Sequence, residues 1–164
     1  SSQGPWESPP MLFKEYWNLP EKTKEVFQGE WFTAGDMCFR DSDGFLVLVD
    51  RKANMIISGG ENIYPSEVEN ALGAHPSVQD VAVIGVPHDK WGEAVHAVVI
   101  LNEDEEPTDG LKDDIRRFGR KKIAGYKVPK TLAFIEDDDM PRTGTGKILH
   151  RILRERYGKW SDIK

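Results

Sequence analysis

The sequence predicts an α+β fold: a small three-stranded sheet flanked by helices, preceded by a β-hairpin that belongs to a separate unit. Three observations carry that prediction. Val78–Val86 and Ala94–Leu101 are rich in β-branched residues and have the composition of strands. Apolar residues recur at helical spacing in Pro65–Ala74 and again from Leu111 to Ile123. Between the first apolar runs and these, Asp50–Asn54 breaks the pattern with mostly polar residues, so residues 1–50 and 51–164 are expected to be separate units.

Each element follows from local chemistry. Ser1–Pro10, rich in Ser, Gly and Pro, reads as irregular and flexible. Tyr16–Phe27 predicts a short helix with Pro20 in its first turn, where the missing N–H costs nothing. Trp31 and Phe32 begin a strand-like run, and the tight turn Asp41-Ser42-Asp43-Gly44 leads into Phe45–Val49, so the two runs predict a hairpin. Met55–Ile57 is a short apolar strand ending at Ser58-Gly59-Gly60. Pro65–Ala74 gathers Val68, Ala71 and Leu72 on one helical face and stops at His75-Pro76. Asn102–Gly110 is an acidic loop. Leu111, Ile115, Phe118 and Ile123 make an amphipathic helix with its basic residues outward. Thr131–Ile135 adds a strand, and Ile148–Tyr157 a closing helix. The order β-α-β-β-α-β-α after Asp50 is that of helices covering a sheet.

Composition narrows the function. With 164 residues, 38% apolar and 30% charged, the chain reads as a soluble globular protein. A net charge of -6 argues against a nucleic-acid partner, which would be met by a basic face. Basic residues nonetheless gather at Arg116, Arg117, Arg120, Lys121, Lys122, Lys127 and Lys130, a patch suited to a phosphorylated small molecule. Cys38 is the only cysteine and has no basic neighbour, so neither a disulfide nor a reactive thiol is expected and a reducing cytoplasm fits best. No apolar run approaches the roughly 18 to 20 residues of a membrane span, and no leader pattern opens the sequence. His75, His88, His96 and His150 lack metal-ligand spacing, and Asp137-Asp138-Asp139 reads as a solvated loop.

Several residues carry two readings each. Asp36, after a glycine at the end of a strand-like run, can accept both hydroxyls of a ribose or cap a turn. Arg51 offers a rigid fork of donors for ribose or phosphate oxygens, or is a solvated charge. Gly59 and Gly60 let the backbone approach a ligand closely, or form a plain turn. Lys147 follows the Gly- and Thr-rich run Pro141-Arg142-Thr143-Gly144-Thr145-Gly146. That run is no Walker loop, because Pro141 stands where the first glycine belongs and Ile148 replaces the hydroxyl residue that would hold magnesium.

Three segments together resemble a known family. They are Trp31-Phe32-Thr33-Ala34-Gly35-Asp36, then Asp50-Arg51 with Ile56-Ile57-Ser58-Gly59-Gly60-Glu61-Asn62-Ile63-Tyr64-Pro65-Ser66-Glu67-Val68-Glu69, and finally Pro141–Lys147. In this order they resemble the C-terminal part of the adenylate-forming superfamily, and within it the fatty-acid or aromatic-acid CoA ligases. The resemblance runs from about Met11 to Tyr157. It implies that residues 1–50 are the end of a large N-terminal adenylation domain and residues 51–164 a mobile lid. The implied reaction joins a carboxylic acid to CoA at the expense of ATP, with Mg²⁺ and ATP held mainly by the large domain. Asp36, Arg51 and Lys147 are the implied ATP and AMP contacts, and Lys147 the implied catalytic residue. Gly59, Gly60, Glu61, Trp91, Tyr126, Lys127 and Lys130 are the implied CoA contacts, and Ala53 the implied hinge. Trp91 also reads as a side chain packed over a sheet edge. No phosphate loop of the family's kind is found, so the chain alone is expected to be inactive. Rival readings are a non-catalytic nucleotide- or CoA-binding or docking module, and an adenylation domain that loads a carrier protein.

Overall fold

A computed structural model describes residues 13–29 and 31–158. The expectation for Ser1–Pro10 lies outside the described residues. The chain divides into two compact units, Ser1–Ala53 and Asn54–Lys164.

In the first unit, helix α1 (Pro20–Val26) begins on its proline as expected. Strand β1 (Phe27–Gln28) pairs antiparallel with β2 (Trp31–Phe32), and the rings of Phe13, Phe27 and Phe32 pack with centroids 5.3 to 5.6 Å apart. The predicted hairpin therefore needs correction at its first strand. Trp31 and Phe32 turn back on β1, and the hairpin is formed by β3 (Asp36–Arg40) and β4 (Leu46–Arg51). The physical reason is Gly35, whose φ of +75° ends the first run before Asp36 begins the next. The turn lies where the sequence placed it: Asp41 Oδ1 accepts hydrogen bonds from the backbone N–H groups of Asp43 and Phe45.

The second unit is built on two long antiparallel strands, β7 (Val78–His88) and β8 (Gly92–Leu101), paired from Val78↔Leu101 to His88↔Gly92 with one register shift between Val78 and Asp80. The short hairpin of β5 (Ile56–Ser58) and β6 (Glu61–Ile63) joins β8 through Ser58↔Gly92. Strand β9 (Thr131–Phe134) runs parallel to β8. The sheet thus has five strands in place of the predicted three, because Gly59-Gly60 reverses the chain and Glu61–Ile63 adds a strand the sequence did not suggest.

Both faces of the sheet are apolar. On one side Val81, Val83, Val95, Ala97 and Val99 pack with Val68 and Leu72 of helix α2 (Pro65–Gly73) and Ile115 of helix α3 (Asp109–Arg120). On the other, Ala82, Ile84, Val86, Ala94, Val98 and Ile100 pack with Met140 and with Leu153 of helix α4 (His150–Tyr157). Alternate residues of one strand feed opposite cores, as the two-residue period of a strand requires. Thr108 caps α3 by accepting the Leu111 N–H. Gly119 lets α3 close on α2, since a β-carbon there would stand 2.7 Å from Leu72 Cδ2. No described helix is long and apolar enough to cross a membrane.

One polar side chain enters the second core. His96 is fully buried on β8, its Nδ1 2.7 Å from Thr131 Oγ1 and its ring 4.9 Å from that of Tyr157. Burial pushes the imidazole from its ordinary 6.5 down to about 4. Between those values the unfolded chain binds the proton and the folded chain does not, so stability is whole above pH 6.5 and declines as pH falls toward 4. The loss expected is about 3 kcal/mol. Urea unfolding at pH 7 and pH 4.5 should register it, and His96→Gln should remove that part of the slope; an unchanged slope would mean His96 titrates normally.

Candidate functional site

The first unit contributes a cross-strand pair. Asp36 and Arg51 face each other at the open end of the β3–β4 hairpin, with Arg51 Nε 3.5 Å from Asp36 Oδ1. Gly35 supplies the bend that starts β3, and its carbonyl accepts the Lys52 N–H at 2.8 Å. Arg51 is well exposed, so this pair adds little stability and leaves its donors open to an incoming oxygen. Ala53 lies exposed in the short 3₁₀ segment Lys52–Asn54, at the junction of the two units.

In the second unit Gly59 and Gly60 are the two central residues of the β5–β6 turn, with φ of +60° and +88°. Both angles belong to the turn type that matches strand twist and that glycine adopts without strain. The Gly59 N–H donates to the Trp91 carbonyl at 2.9 Å, and a β-carbon on Gly59 would sit 3.5 Å from Trp91 Cδ1. Trp91 has two partners on its ring: the His88 ring stacks on it at 4.3 Å and 17°, and Lys130 Nζ lies 4.5 Å from its ring centroid. The structure thus brings together Gly59, Trp91 and Lys130 from three separate segments. Glu61 stands exposed just after the turn, and Tyr126 is half exposed.

Lys127 has a different situation. Its Nζ donates to both Glu67 carboxylate oxygens at 2.6 and 2.7 Å, a pair with the lysine mostly buried and the carboxylate partly exposed that ties the 126–130 loop to α2. The hydrogen bond to Glu67 raises the lysine above its ordinary pKa, so the charge is held in the fold. The basic cluster is further reduced by Arg116–Asp113 and Arg117–Asp114 pairs along α3. A cavity of about 280 Å³ is lined by Asp113, Arg116, Arg117, Arg120 and Val128.

Lys147 is exposed at the end of a tight loop. The Thr143 N–H donates to the Lys147 carbonyl at 2.8 Å, the Lys147 N–H to Thr143 Oγ1 at 3.1 Å, and Gly146 takes a φ of +84°. Arg142 bridges to Ile148 across the loop base and bonds Asp80 of β7 at 2.8 Å and Asp137 at 2.9 Å. Asp137 is therefore partnered rather than simply solvated. From Asp80, where this loop is fastened, to His88, beside the Gly59 turn, β7 runs eight residues, or about 26 Å at ~3.3 Å per residue. The two motifs also lie on opposite edges of the sheet, since β5 flanks β8 on the side away from β7.

Sequence reasoning gave no role to His88, Glu93, Glu69, Arg142 or Asp80. His88 stands three residues before Trp91, which was a usable signal. Glu93, whose Oε2 accepts the Ile57 N–H at 2.8 Å, and the Asp80–Arg142 pair span long separations that no local pattern reveals. Among the described residues no group of three or more His, Cys, Asp or Glu side chains converges to hold a metal ion.

Residues 67–147 match the AMP-binding enzyme C-terminal domain family. This segment belongs to that family. Feruloyl-CoA synthase of an Amycolatopsis species is 48% identical over 92% of this chain, which covers 30% of that enzyme. Long-chain-fatty-acid–CoA ligase FadD13 of Mycobacterium tuberculosis is 44% identical over 90% of this chain and 28% of its own length. Among solved structures, the ATP-bound RpMatB-BxBclM chimera B1 superposes with a TM-score of 0.82 at 38% identity, over 91% of this chain and 29% of that one. The chain spans about 30% of the length of the curated relatives it matches.

The Lys127–Glu67 geometry makes a prediction for this domain. Lys127→Met should lower unfolding stability by about 1 to 2 kcal/mol, because it strands a half-buried carboxylate against the fold. Urea melts would read the change, and equal midpoints for both proteins would show that the pair has no structural role.

Proposed function

We propose that this chain is the C-terminal catalytic lid of an ATP-dependent acyl-CoA synthetase and presents two different faces to one reaction centre in succession. In the first step a carboxylate oxygen attacks the α-phosphorus of ATP, an acyl–O–P bond forms and pyrophosphate leaves. In the second, the CoA sulfur attacks the acyl carbon, a C–S bond forms and AMP leaves with the former carboxylate oxygen. Lys147 meets the negative charge that grows on the α-phosphate in step one. The Gly59-Gly60 turn, with no β-carbons, gives the pantetheine arm passage in step two, and Trp91 with Lys130 offers an aromatic face and a cation to the nucleotide of CoA.

The observation that carries this reading is that the Lys147 loop is fastened at Asp80 and the Gly59 turn lies beside His88, eight residues or about 26 Å apart along β7. Two groups so far apart cannot act at one bond together, so serial use requires the domain to turn. Lys52–Asn54 is the segment about which it turns, with Ala53 at its centre. Asp36 and Arg51, just before that segment, hold the ribose. Closure in each orientation shields the hydrolysable adenylate from water. The large adenylation domain supplies the acid pocket, the pyrophosphate loop and the magnesium site. A cytoplasmic location suits such an enzyme.

In the whole protein, Lys147→Ala should lower acid-dependent pyrophosphate exchange about 10²- to 10³-fold, the cost of one preorganised donor. Release of CoA thioester from supplied acyl-adenylate should be nearly spared. Gly60→Leu should do the reverse. Equal slowing of both steps by Lys147→Ala, or selective damage to adenylation by Gly60→Leu, would end the two-face mechanism.

A further inference from the structure

The Lys147 loop leaves the fold at Pro141 and returns at His150, and each end carries a side-chain link to a carboxylate. At the outgoing end Arg142 grips Asp80 and Asp137. At the returning end His150 Nε2 lies 2.8 Å from Glu69 Oε1, with both side chains mostly buried. The same Glu69 oxygen accepts the Val83 backbone N–H at 2.8 Å. Val83 sits on β7, the edge strand among the described residues, so Glu69 accepts an edge N–H and meets His150 with one atom. Three elements, α2, β7 and the start of α4, are thereby locked together three residues past Lys147.

We infer that Glu69 and His150 are positioning residues for Lys147: they fix the returning end of the loop so that a flexible lysine starts from a fixed Cα. This rests on the reading of Lys147 as the adenylation donor. Within the loop the Thr143 and Lys147 backbones are already bonded to each other, so the loop moves as a piece and its placement is decided at its two ends. Arg142 holds one end to β7. The returning end is also held by the Arg142–Ile148 bridge and by Ile148 and Leu153 in the core, and the Glu69–His150 link adds the polar contact that fixes its orientation. A displacement of about 1 Å at a reacting group costs up to about a hundredfold in rate, so a residue that never touches substrate can matter this much. Both links go to the same edge strand, which makes β7 the ruler against which Lys147 is set.

The test is a double-mutant cycle in the whole protein. His150→Ala should lower the kcat of acid-dependent pyrophosphate exchange roughly ten- to a hundredfold, leave KM for ATP in place and spare thioester release from supplied adenylate. His150→Gln, which keeps an N–H for Glu69, should recover most of the rate. In a Lys147→Ala background His150→Ala should cost nothing further, because its effect passes through the lysine. Thermal melts accompany each variant, and the Gln variant carries the comparison if the Ala variant unfolds. Full exchange activity in His150→Ala, no recovery in His150→Gln, or an undiminished loss in the Lys147→Ala background would overturn the positioning role. If Lys147→Ala alone leaves exchange intact, the adenylation reading itself falls, and the positioning role with it.

Discussion

Everything in the second unit depends on one antiparallel pair, β7 with β8, whose interior residues, His96 apart, are apolar on both faces. A strand pair of that kind cannot rest against a single layer. One face demands α2 and α3, the other α4 and Met140, and the loops that deliver those helices become the ends of the sheet. Burial of side chains such as Ile84, Val98, Ile115 and Leu153, at roughly 1.5 to 3 kcal/mol each, outweighs any surface ion pair in the structure. The chemistry-bearing segments are exposed and weakly held by comparison. Their positions follow from where the strands begin and stop.

This explains what was legible in the sequence. The β-branched runs and the helical spacing of Val68, Ala71 and Leu72 reported the core directly, because burial selects residue type. The hairpin of β5 and β6 escaped notice since Gly59-Gly60 was weighed as a ligand approach or a plain turn, and Glu61-Asn62-Ile63 has no strand-like composition. A three-residue strand on an edge needs none. The displaced hairpin in the first unit has a similar cause: Trp31 and Phe32 look like the start of a strand, and only the left-handed backbone at Gly35 divides them from Asp36–Arg40. Local pattern identifies an element; where it ends is decided by a turn that composition marks only faintly.

Charge was less legible than shape. The late basic cluster read as a uniform patch for a phosphate. In the fold, Arg116 and Arg117 are each paired with an aspartate three residues earlier, which spacing alone could have shown. Lys127 is held by Glu67 from sixty residues away, which spacing could not show. Lys130 is turned to Trp91. A count of cations therefore overstates the field available to a ligand, and the electrostatics of such a surface must be read pair by pair.

The two candidate motifs also differ in what they ask of the backbone. The Gly59-Gly60 turn works by the absence of side chains, so the atoms near a ligand are main-chain atoms fixed by the hairpin and by the Gly59–Trp91 hydrogen bond. The Lys147 loop works by presenting one long side chain with many rotamers, and a charge at its tip is only as well placed as the Cα beneath it. A backbone surface needs a turn of the right hand and little else. A lysine needs anchoring at both ends of its loop, and Arg142 and His150 occupy those ends. The heavier bracing around Lys147 is what its flexibility requires, since rotamer freedom near the tip can be tolerated only when the base does not add to it.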